Sequence, residues 1–117
     1  MGRLRAVTSR ALPGAPLIFR RNRFSDLVRR QLDLFAKEEI ALFTEADEAE
    51  RVYDDADRED AEEAYADFQL VLDSGRDRLD EIRSTYAATL DPDAAREYED
   101  AFTKAAGKRF PRFAVEL

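Results

Sequence analysis

Acids and arginines carry most of the chemistry open to this chain of 117 residues, which holds 26 Asp and Glu, 19 Lys and Arg, and no Cys or His. Carboxylate-bridged dimetal bundles need Glu on facing helices plus paired Glu-x-x-His motifs. Without His, Glu38, Glu39, Glu45, Glu63 and Asp67 offer oxygen ligands alone, which suit Mg²⁺ or Ca²⁺ better than redox iron. The run Asp55-x-Asp57-x-Glu59 begins like a calcium loop, but its sixth position is Asp60 instead of Gly and its twelfth is Ala66 instead of Glu. It fails where the loop's turn and bidentate ligand are needed.

Nucleophilic catalysis has no Cys and no His to draw on, and a paired-carboxylate hydrolase needs a cleft that a small bundle has little room for. No glycine-rich phosphate loop is present. The sequence therefore predicts a protein that is not an enzyme, with no catalytic, cofactor-binding or metal residues.

Charge is distributed unevenly. Residues 1–30 carry eight Arg against one acid, whereas the remainder carries 25 acids against 11 bases. The division predicts a basic patch of Arg20, Arg21, Arg23, Arg29 and Arg30 on an acidic body. Phe19, Phe24, Phe110 and Phe113 alternate with arginines, an arrangement that could stack on bases but more simply seals a core, with the arginines answering nearby acids. Residues 45–63 hold eleven acids against Arg51 and Arg58. Glu48, Glu50, Asp54, Asp55, Asp57, Glu59 and Asp60 make up the expected acidic tip, either a solvated turn or a docking knob for a basic partner.

The elements that position these groups are helices. Residues 1–24 read as a basic, disordered N-terminal arm, since Pro13-Gly14-Ala15-Pro16 breaks any helix. Residues 25–117 read as one helical-bundle domain. Ser25 is expected to cap the first helix. From there Val28, Leu32, Phe35, Leu42, Ala46, Ala49 and Tyr53 line one face, interrupted by Glu39 and widened by Leu27, Leu34 and Phe43. The Asp-rich stretch at 53–57 suits a bend better than a helix interior, although one uninterrupted helix to Leu90 is the competing reading.

Beyond the bend, Ala61, Tyr65, Phe68, Leu72, Gly75, Leu79, Ile82, Tyr86 and Thr89 repeat at steps of four and three. This seam predicts coiled-coil-like packing against an antiparallel neighbour, with a bulky group filling the space over Gly75. Asp91-Pro92 marks a helix start, and the third helix is expected to run to Ala106 with Gly107 closing it. The tail from Phe110 to Phe113 is expected to dock on the bundle.

The predicted fold is thus all-α, an antiparallel long helical hairpin with a shorter third helix packed across its base. Part of the hairpin's upper half is left uncovered, and exposed apolar stripes of that kind mark association. The expected function is a non-catalytic protein-protein interaction module that self-associates as a twofold homodimer or takes another protein partner. A nucleic-acid-associated accessory role, through the Arg-rich arm and the basic-aromatic tail, ranks second. No run is apolar enough to span a bilayer, and the expected location is the cytoplasm.

Overall fold

The computed structural model describes residues 23–117, and the N-terminal arm up to Asn22, with Arg20 and Arg21, lies outside the described residues. Among the described residues the regular structure is wholly helical: α1 (Ser25–Glu38), α2 (Ile40–Asp55), α3 (Ala61–Ala87) and α4 (Pro92–Arg109). No helix among them is long and apolar enough to cross a membrane.

The helix expected over residues 25–53 is divided in two. Glu39 adopts φ −104° and ψ 31°, although its amide still donates to the Phe35 carbonyl. It occupies a step of the pattern where an apolar residue would point inward. Its carboxylate instead meets the Arg78 guanidinium at 3.3 Å. Burying that carboxylate would cost more than distorting one residue, so the backbone opens at this point. Ser25 is the first helical residue rather than the cap. The cap position is Phe24, which offers no side-chain hydrogen bond and is buried edge-on to Tyr98 at 5.6 Å. Phe24, assigned to the arm from sequence, thus belongs to the core.

The expected bend is present. Helix α2 ends at Asp55, and Ala56 is extended (φ −69°, ψ 139°), which excludes the continuous helix to Leu90. Tyr53 near the end of α2 lies 5.3 Å from Tyr65 near the start of α3, while Glu38 and Glu39 at the α1–α2 junction meet Arg78 farther along α3.

Asp91 caps α4 by accepting from the Ala94 amide at 2.9 Å, with Pro92 in the first turn. Gly107 does not close this helix, because it lies within α4 and has no positive φ. The helix continues to Arg109, and Pro111, which cannot donate the next hydrogen bond, stops it.

The core gathers Val28, Leu32 and Phe35 of α1, Leu42 and Ala46 of α2, Leu79 of α3, and Tyr98, Phe102 and Ala106 of α4. Phe110 and Phe113 of the tail complete it. Phe113 fills the space above Gly75, where a Cβ atom would stand 2.2 Å from its Cδ1. The glycine permits this approach by lacking a side chain.

Candidate functional site

The residues of the predicted seam divide between inside and outside. Leu79 is fully buried, and Phe68, Leu72, Ile82 and Tyr86 are half-buried. Tyr65 is 47% exposed even though its ring meets Tyr53. Among the described residues only α2 faces this end of α3 near the loop, and two helices cannot cover all sides of a large ring.

The basic groups are dispersed and largely paired. Arg23 reaches Glu97 at 3.5 Å and Arg29 reaches Asp26 at 3.1 Å, on different sides of the α1 start. Arg30 is exposed. In the tail, the Phe110 and Phe113 rings face the core, where Phe113 lies 5.3 Å from Phe43 and Phe110 lies 5.2 Å from Phe35. Arg109 pairs with Asp33 at 2.6 Å, and Arg112 pairs with Asp47 at 2.8 Å and Glu50 at 3.5 Å. These rings are therefore not presented for stacking on bases. Arg83 pins the end of the tail, donating to Thr103 Oγ1 at 2.7 Å and to the Leu117 carbonyl at 3.0 Å.

The acidic residues surround the α2–α3 loop. Glu48, Glu50, Asp54, Asp55, Asp57, Glu59 and Asp60 are all exposed. Arg51 bridges Glu48 and Asp55, and Arg112 holds Glu50. No group of three or more acids among the described residues is gathered closely enough to hold a metal ion.

Among the described residues the one strongly displaced ionisation belongs to Tyr98. Burial pushes its hydroxyl up to about 12, opposed by its hydrogen bond to Gln31 Oε1 at 2.7 Å. The group is an internal tie between α4 and α1.

A different feature stands out as a surface. Helix α4 and the tail cover one side of the layer formed by α1, α2 and α3, through Tyr98 against Tyr86, Phe113 against Gly75 and Arg112 against Asp47. Among the described residues, two shallow grooves run on the other side, neither lined by any residue of α4 or the tail. One, of 430 Å³, lies between α1 and α3 and includes Leu34, Phe35, Glu38, Arg78, Ile82 and Tyr86. The other, of 510 Å³, lies between α2 and α3 and includes Glu45, Glu48, Val52, Ala64, Asp67 and Val71.

Helical phase puts both grooves on one side of α3, because 64, 67, 71, 78, 82, 85 and 89 follow steps of three, four and seven. Arg78, held by Glu38, Glu39 and Glu81, separates them. Leu34, Val52 and Leu70 are 51%, 46% and 65% exposed on or beside this side. Leu34 was expected to face inward, but it lies beyond the edge of the core stripe, and among the described residues no helix stands opposite it there.

Sequence reasoning anticipated an uncovered upper half, whereas among the described residues grooves run along both ends of α3 on one side. The clue was available in Leu34, Val52 and Leu70, apolar residues that lie off the seam. Comparison with protein-family models, with curated proteins and with solved structures finds no match for this chain.

Proposed function

We propose that the chain is a non-catalytic helical protein-protein interaction module that self-associates. In this reading α1 with α2 forms one arm of an antiparallel hairpin and α3 the other, packed in coiled-coil fashion, with α4 lying across the base. The acidic loop end forms one pole. The observation that carries the proposal is the exposure of Leu34 and Val52 in the two grooves that neither α4 nor the tail lines. Apolar surface of this kind is stabilised by leaving water, at roughly 25 cal/mol per Å² buried.

Light scattering over a range of protein and salt concentrations tests this. Association through apolar surface should strengthen with protein concentration and persist in high salt. Binding to duplex DNA that falls steeply with salt, without self-association, would instead favour the nucleic-acid reading.

A further inference from the structure

The open side is a layer two helices wide. Helix α3, with 27 residues, is about 40 Å long, and two adjacent helices are about 20 Å across, so the layer offers about 800 Å². That is the area each partner contributes to a protein interface of ordinary size. Its charge differs between its ends. Near the α1 end, exposed Arg30 and Lys37 stand one turn either side of Leu34, while the two acids lining the groove there, Glu38 and Glu81, are both paired with Arg78. Toward the loop the groove is edged by Glu45, Glu48 and Asp67, and Asp55 follows.

From this pattern we propose that the open side binds a second copy of the same chain face to face, with the two molecules running in opposite directions about a twofold axis that passes beside Ser74. The inference rests on the self-association reading and adds its surface and orientation. Glu39 lies level with Arg78 and Tyr53 with Tyr65, which places Ser74 level with Phe43, near the middle of the α1–α2 rod. Turning a copy about an axis at that level lays Leu34 into the Val52 groove of the second copy. It also sets Lys37 opposite Glu48 and Arg30 opposite Asp55 of that copy. A parallel arrangement would set acidic loop end on acidic loop end, and like charges brought together at an interface oppose binding.

The chain contains no cysteine, so introduced thiols report unambiguously. Ser74 is exposed, and Ser74→Cys places one thiol near the axis. With a short bismaleimide linker the Ser74→Cys chain should cross-link to itself. Leu34→Cys should cross-link only when mixed with Val52→Cys. Lys37→Glu should weaken the dimer by about tenfold, and Lys37→Glu combined with Glu48→Lys should restore most of the loss.

A sedimenting dimer in which Leu34→Cys links to itself, or Ser74→Cys does not, would overturn the orientation and leave self-association standing. A monomer at the highest concentrations would overturn both. If that monomer's Ser74→Cys thiol became reactive only on removal of residues 1–22, the face would belong to the chain's own N-terminal segment. A freely reactive thiol on the monomer would show the face to be bare.

Discussion

Replacing Gly75 by Ala sets two known effects against each other at one buried position. In a helix interior Ala is favoured over Gly by about 1 kcal/mol, so propensity alone predicts stabilisation. The added Cβ, however, would stand 2.2 Å from Phe113 Cδ1, 2.7 Å from Cε1 and 2.7 Å from Cγ. Because Cγ is among these atoms, rotating the ring leaves the conflict in place, and the whole side chain must withdraw. Phe113 is 1% exposed and packs edge-on against Phe35 and Phe43.

Losing much of that burial costs roughly 2–3 kcal/mol, and overpacking in general costs about 1–3 kcal/mol. The net expectation is a destabilisation of about 1–2 kcal/mol, measured as a lowered urea midpoint with unchanged slope. In a Phe113→Ala background the obstacle is gone, and the same Gly75→Ala change should stabilise by up to about 1 kcal/mol. If Gly75→Ala stabilises the otherwise unaltered chain, the close approach of Phe113 to α3 is refuted.

Asp91→Ala removes the side-chain acceptor of the Ala94 amide and should cost about 1 kcal/mol in thermal or urea unfolding, whereas Asp91→Asn should cost little. Tyr98 is raised to about 12 by burial, so its contribution is fully present below pH 10, its ordinary value, and declines by about 2 kcal/mol as pH rises from 10 to 12. Tyr98→Phe should reduce stability by about 1 kcal/mol at neutral pH through loss of the Gln31 bond and flatten the decline above pH 10, read from urea midpoints. Arg83→Ala should release the last residues, seen as faster amide exchange at residues 114–117 with a small change in global stability.

Much of the fold was legible because local rules and burial agreed. Asp91-Pro92 starts a helix by its own chemistry, the acidic stretch before Asp57 turns the chain, and a glycine on an apolar seam implies a large neighbour, which is Phe113. The tail aromatics were readable as core for the same reason, since burying two Phe rings outweighs solvating them.

Misreadings arose where tertiary contacts outweighed local preference. Glu39 breaks the helix because its carboxylate has a partner 39 residues away, which periodicity cannot reveal. Gly107 has the type that ends helices, yet the chain gains more by continuing to Arg109 and burying Phe110. Ser25 has capping chemistry, but the burial of Phe24 fixes the entry of the chain. The open side was the least legible feature, because a helical pattern reports which residues turn inward and not which face a later helix will cover.

Association through that face is tested most directly by sedimentation equilibrium of the chain and of its Val52→Asp variant. The unaltered chain should follow a monomer-dimer equilibrium that shifts to dimer as concentration rises, and the variant, with a charge in the groove, should remain monomeric while keeping its helical circular dichroism. An unaltered chain that stays monomeric up to millimolar concentration, or a Val52→Asp variant that dimerises equally well, would contradict it.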